Sequence, residues 1–135
     1  MNKEVKILLD HCRNYAEDLL METGELFPFG ALTDQNGMTH HREYEIDKSN
    51  IPSNGEIMDI LLGYFRKEFE EGRAKAFALA FEASVQLDEN SRTDAIAVDI
   101  RHRDENDLPV YYFPFRIVEK DLPVIGEVFA VKKKH

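Results

Sequence analysis

Histidines and carboxylates are where this sequence could do chemistry. His40 and His41 are adjacent, and His102 stands two residues before Asp104. Two histidines and a carboxylate can hold a transition metal. His40 or His41, with Asp99, His102 or Asp104, could also serve a small hydrolase or isomerase as general base. Either use needs side chains from separate stretches to converge. Read as strand neighbours, His40 and His41 point to opposite faces and cannot chelate one ion. The expectation is ordinary strand-edge histidines, with no metal and no cofactor.

Other candidates are weaker. His102-Arg103-Asp104 shares three letters with the protein-kinase catalytic loop, but the Asn five residues on, the glycine-rich loop and the strand lysine are missing. Cys12 falls on an apolar helical stripe beside Leu8 and Leu9, which reads as a buried small hydrophobe rather than a nucleophile. No phosphate loop, dinucleotide fingerprint or Gly-x-Ser-x-Gly run occurs. Glu82 and Asp99 remain. A centred hairpin sets them opposite each other, with Arg101 and Arg116 near, so they could share a proton. A solvated ion cluster is the plainer expectation.

The same strands carry small residues at Ala76, Ala78, Ala80, Ala95 and Ala97. Alanine is a poor strand former, and a flat patch of it lets another backbone approach. The rim has mixed charge and a tyrosine, which suits an interface. The expected partner-binding face is Ala78, Ala80, Glu82, Ala97, Asp99, Arg101, Tyr112 and Arg116. The cover could be another chain or this chain's own Val124 to Val131.

Composition sets limits. The chain has 135 residues, one domain's worth. It is 43% hydrophobic and 32% charged, which argues against intrinsic disorder. With 17 Lys and Arg against 26 Asp and Glu, the net charge is −9. Nonspecific nucleic-acid binding is disfavoured, because the phosphates would be repelled. One cysteine excludes an internal disulfide. No apolar run approaches the roughly 20 residues that span a bilayer, and no basic-then-apolar leader opens the chain. A cytoplasmic protein is expected.

The elements that must position these residues are legible in the periodicities. Val5, Leu8, Leu9, Cys12, Tyr15, Ala16, Leu19 and Leu20 predict a helix over Lys3 to Thr23, closed by Gly24. Leu26 to Leu32 and Met38 to Tyr44 flank Asp34-Gln35-Asn36-Gly37, a hairpin signal. Pro28 suggests a sheet edge or bulge. Ser53 and Glu56 have capping-box spacing at the start of a second helix, with Ile57, Ile60, Leu61, Tyr64, Phe65 and Phe69 as its stripe and Gly72 at its end. Ala74 to Leu87, Thr93 to His102 and Val110 to Val118 alternate with period two, and a last strand is expected near Gly126 to Lys132. Lys132-Lys133-Lys134 forms a basic tail.

Centring the hairpins predicts Val85 opposite Ile96, Ala83 opposite Val98 and Phe81 opposite Ile100. It then predicts Ile100 opposite Phe113 and Val98 opposite Phe115. The large apolar groups of three strands would share one face. The resulting fold is α+β: an antiparallel sheet of about five strands with two helices packed on one face. This element order resembles the roadblock and profilin-like folds, with Gly30 to Gly37 as their opening hairpin. Their closing helix has no counterpart, since Gly126 to His135 reads extended. Phe27-Pro28-Phe29-Gly30-Ala31, Asp94-Ala95-Ile96-Ala97-Val98 and His102-Arg103-Asp104 look like a group of small uncharacterised bacterial proteins, a likeness that implies no activity. The functional expectation is a non-enzymatic protein-binding module, a homodimer or a partner binder, with an acidic immunity or inhibitor protein for a basic toxin or nuclease as the alternative.

Overall fold

A computed structural model describes residues 1–133, so Lys134 of the basic tail lies outside the described residues. Helix α1 spans Lys3–Thr23. The Asn2 side chain caps it, accepting from the Glu4 and Val5 N–H groups at 2.9 and 3.3 Å. Gly24 ends it at φ 73°, where its N–H reaches the Leu20 carbonyl. Strands β1 (Phe29–Asp34) and β2 (Thr39–Glu43) form the expected hairpin. Asp34 Oδ1 organises the turn, accepting from the Asn36 and Met38 N–H groups. The first strand begins after Pro28, and it is not an edge, because β1 lies between β2 and β3.

Helix α2 spans Asn54–Glu70, with Ser53 Oγ accepting from the Glu56 N–H at 3.2 Å. Ile57, Leu61 and Phe65 are buried, whereas Ile60, expected on the same stripe, is 52% exposed. Strands β3 (Ala74–Asp88), β4 (Ser91–His102) and β5 (Val110–Val118) make the meander. A short 3-10 turn leads into β6 (Leu122–Ile125), and β7 (Phe129–Val131) follows. Both run back along β5, interrupted where the Gly126 N–H bonds the Pro114 carbonyl at 2.7 Å.

The fold is α+β, with an antiparallel sheet in the order β2-β1-β3-β4-β5-β6 and β7 also paired to β5. Seven strands stand where about five were expected, because the closing segment splits into two. Among the described residues no helix is long and apolar enough to cross a membrane.

The β3–β4 register differs from the expected one. Asp88 pairs with Ser91, so the turn is only Glu89-Asn90, and Asp88 Oδ1 accepts the Asn90 N–H at 2.8 Å. A bulge between Gln86 and Asp88 shifts the ladder by one more residue, so Val85 meets Thr93 rather than Ile96, and Phe81 meets Ala97 rather than Ile100. An odd shift exchanges the faces. The β4–β5 register also moves, with Ile96 opposite Phe113 and Val98 opposite Tyr111. That shift is even, so Ile96, Val98, Phe113 and Phe115 still share a face.

The exchange moves the helices. Ala76, Ala78 and Ala80 lie with Ile96, Val98 and Ile100 beneath α1, in one core with Val5, Leu8, Cys12 and Phe113. Phe77 and Leu79 point the other way and pack with Ile57, Leu61, Phe65 and Leu32 under α2. The helices thus cover opposite faces of the sheet, not one face. Gly30 marks the closest approach on the α2 side: a Cβ there would lie 2.5 Å from the Phe65 ring and 2.3 Å from the Ala78 carbonyl oxygen.

Candidate functional site

The alanines expected to form a docking surface divide between the two faces. Ala78 and Ala80 are fully buried beneath α1. A helix of the same chain uses the close approach that small side chains permit. Glu82 shares their face, opposite Ile96. Ala97, Asp99, Arg101, Tyr112 and Arg116 lie on the other face, as their pairing with Phe81, Leu79, Phe77 and one another requires. Glu82 and Asp99 are therefore on opposite sides and share no proton. Partial burial, then Asp94 and Glu25, holds the Glu82 carboxyl above the usual carboxylate range.

On that second face α2 packs mainly on β1 and β3 and meets β4 only at its margin, where Arg101 lies over Phe69. Beyond it lies an apolar strip running from Phe81 over Ala97 to Tyr112 and Phe129. Ala97 is buried between its ladder neighbours Phe81 and Tyr112, which are themselves half-buried. The Tyr112 and Phe129 rings stack, with centroids 5.5 Å apart. Val124 and Leu122 extend the strip along β6, 43% and 48% exposed. Charged side chains rim it. Arg116 is exposed, and Lys133 Nζ lies 2.6 Å from Asp99 Oδ1.

The histidines do not converge as a hydrolase would need. His40 is exposed and bonds Asp34 at 2.7 Å, which holds the Asp34 carboxyl below its usual range. His102 is buried at the far end of β4. Its Nδ1 accepts the Asp104 N–H at 3.0 Å, so the ring proton is on Nε2 and donates to Glu4 Oε1, also at 3.0 Å. That bond, and Lys75 at 3.3 Å, hold the Glu4 carboxyl below its usual range. His102 thus ties β4 to the start of α1. Asp99 is on the opposite face, and Asp104 contributes only its backbone to His102 among the described contacts.

His41 has a partner that the sequence reading missed. Its Nδ1 lies 2.8 Å from His11 Nε2, and its ring packs 4.1 Å from that of Tyr15. The Tyr15 hydroxyl donates to Glu43 Oε1 at 2.7 Å. The signal was present as two spacings: His11 and Tyr15 are four apart on a helix, and His41 and Glu43 are two apart on a strand. His11 and Glu4 stand about 10 Å apart along α1 at its usual rise, so the contacts of His41 and His102 are two turns apart. Burial pushes both His11 and His41 below the ordinary imidazole value, keeping the pair neutral near pH 7. One shared proton makes this contact a clasp between α1 and β2. Among the described residues no three His, Cys, Asp or Glu side chains gather as metal ligands. Cys12 is buried in the α1 core, and burial pushes its thiol up to about 12, which leaves little thiolate for chemistry.

No protein-family model, curated protein or solved structure matches this chain. Its reading therefore rests on the geometry. The two halves of the α2 side differ in cover, and the uncovered half brings together Ala97, Asp99, Arg101, Tyr112 and Arg116.

Proposed function

We propose that this protein is a binding module, not an enzyme, and that it docks a partner protein on the half of the sheet that α2 leaves open. One observation carries the reading: α1 closes its side over Ala78, Ala80 and Val98, while the strip from Phe81 to Phe129 has no helix over it. Half-buried aromatic rings on a flat apolar floor supply contact area at small entropic cost. The rim argues for a distinct, acidic partner over a second copy. Arg116 and Arg101 project beside the strip in a chain of net charge −9, and a two-fold pairing would set cation against cation.

The test compares two variants in affinity capture from the source lysate, read by intact mass. Tyr112→Ser with Arg116→Glu alters the strip, and Arg13→Glu alters the outer surface of α1. The expected result is one partner held by the parent and by Arg13→Glu and lost by the strip variant. A partner retained by the strip variant overturns the reading. A homodimer lost in that variant would make the occupant a second copy.

A second reading, an acidic inhibitor of a basic toxin or nuclease, has its own support. Asp94 and Glu25 each repel the Glu82 carboxylate, and a cationic partner would relieve that repulsion. It predicts a basic partner that salt releases and that Glu82→Gln with Asp94→Asn weakens. A partner indifferent to salt and to both substitutions excludes it.

A further inference from the structure

Between α2 and β4, at the margin of the open strip, lies a notch of about 140 Å³. Its lining includes Leu62, Phe77 and Leu79 as an apolar floor, with Arg66, Arg101, Lys133 and Asp99 around it. Three cations thus face one carboxylate, in a strongly acidic protein. Asp99 is taken by Lys133, at 2.6 Å. Neither Arg66 nor Arg101 has a carboxylate within ion-pair distance among the described residues. Glu105, in the adjoining hollow, pairs with neither.

Arg101 is nevertheless held in place. Its guanidinium carbon sits 4.9 Å from the centroid of the Phe69 ring, an arrangement that fixes a cation without neutralising it. Arg103 sits over the same ring at 4.3 Å. It differs in being committed, since it donates to the Phe69 and Ala74 carbonyls. A guanidinium positioned by a ring, beside a second arginine and with no carboxylate partner for either among the described residues, has the chemistry of an oxyanion receptor.

We infer that this notch binds an oxyanion, a carboxylate or a phosphate, between Arg66 and Arg101, with any small apolar group beside it resting on Leu62 and Leu79. The inference deepens the docking reading and rests on it only for the source of the anion: a group on the docked partner. The chemistry of the notch stands by itself.

The test uses the full chain and three probes at constant ionic strength: inorganic phosphate, N-acetyl-leucine and the uncharged N-acetyl-leucinamide. Backbone amide shifts report binding. The expected result is saturable shifts around Asp99 and Arg101 with phosphate or N-acetyl-leucine and none with the amide. Saturation with phosphate alone assigns a phosphorylated source, and with N-acetyl-leucine alone a chain-terminal carboxylate. Arg66→Gln with Arg101→Gln should weaken binding about tenfold or more, because hydrogen bonds to charged groups are lost. Arg13→Gln, far from the notch, should leave it unchanged. If the double variant unfolds, Arg101→Lys keeps the charge and removes the fork, and should still weaken binding. No saturation with either anion, or equal affinity in the arginine variants, overturns the notch. The docking reading would survive that outcome, because it is decided by the Tyr112 and Arg116 variant.

Discussion

The two faces of one sheet are finished differently. On the α1 side, β3 presents Ala76, Ala78 and Ala80, while β4 and β5 present Ile96, Val98, Ile100, Phe113 and Phe115. The helix settles over the alanines, and the larger groups fill the space beside it. On the α2 side the sizes are reversed. β3 presents Phe77, Leu79 and Phe81, and β4 presents Ala95 and Ala97. There the helix packs on the large residues and stops short of the small ones. Alanines on a strand therefore mark a close helix approach in one case and, in the other, a floor covered only by neighbouring side chains. Residue size alone does not tell the two apart; the position of the helix does.

The sharpest way to break that contrast is to enlarge one alanine on each face. Ala78→Leu must push α1 away from the sheet and should cost about 3 kcal/mol, the upper part of the usual overpacking range. Ala97→Leu, buried only by the half-exposed side chains of Phe81 and Tyr112, can push those rings aside and should cost about 1 kcal/mol. Urea unfolding of the two variants measures both. Equal costs would mean that the strip is as closed as the α1 core, and the docking proposal would lose its basis.

How much of this was legible in the sequence follows from the same alanines. Period-two alternation placed β3, β4 and β5 to within a few residues, and Gly24, Ser53 and Gly72 marked helix ends. Alternation says which residues share a face within one strand. It does not say which face of the next strand they join; turn length and any bulge decide that. Taking Asp88 to Arg92 as the turn put Phe81 beside Ile100. The Glu89-Asn90 turn by itself would keep the faces, but the bulge between Gln86 and Asp88 moves the ladder by one more residue and puts Ala80 beside Val98. One bulge thus misassigned Ala78, Ala80 and Glu82 to the docking face and placed both helices on one side. Ala97, Asp99, Arg101, Tyr112 and Arg116 stayed together because the β4–β5 error was even. The His11–His41 clasp was legible only as separate spacings on a helix and a strand, since bringing them together depends on α1 lying on its own face.

A smaller effect is expected at Gly30, where the two sides are thinnest. Gly30→Ala would bring a methyl group into Phe65 and the Ala78 carbonyl oxygen. The Phe65 ring can give way, but the neighbouring backbone gives less easily. The expected cost is about 2 kcal/mol, read as a lower urea midpoint with unchanged slope. No loss of stability would mean that α2 is free to slide outward, and the α2 side would then be looser than its packing implies.

The clasp should give a pH signature that belongs to the α1 side. Burial lowers the pKa of both His11 and His41, against a raising influence of Glu43 on His41. A histidine whose folded value is depressed binds protons more readily when unfolded. The stability it contributes is therefore full above the ordinary value of 6.5 and is lost as pH falls through the depressed folded value. Stability should be flat from pH 8 to pH 7 and decline below about 6.5. His11→Gln with His41→Gln should flatten that decline. A decline unchanged in the double variant would assign it to other groups, and α1 would be held on β2 by packing alone.

The smallest effect tests the acidic end of the α1 side, with the opposite sign. Glu82 is held above the usual carboxylate range first by burial and then by Asp94 and Glu25. A raised carboxyl value means that the folded protein disfavours the ionised form, so stability is gained as pH falls through that value and is absent at pH 7. Glu82→Gln keeps the shape, removes the charge and should retain the gain at neutral pH. The gain should not exceed about 0.5 kcal/mol, as for other surface substitutions, and should shrink in high salt, which screens Asp94 and Glu25. Destabilisation by this variant would mean that the Glu82 charge has a favourable contact in the folded chain, and the case for a cationic partner at this end would fail with it. A salt-sensitive gain would mean that the fold tolerates the repulsion without needing it, which is the condition under which a basic partner gains affinity from relieving it.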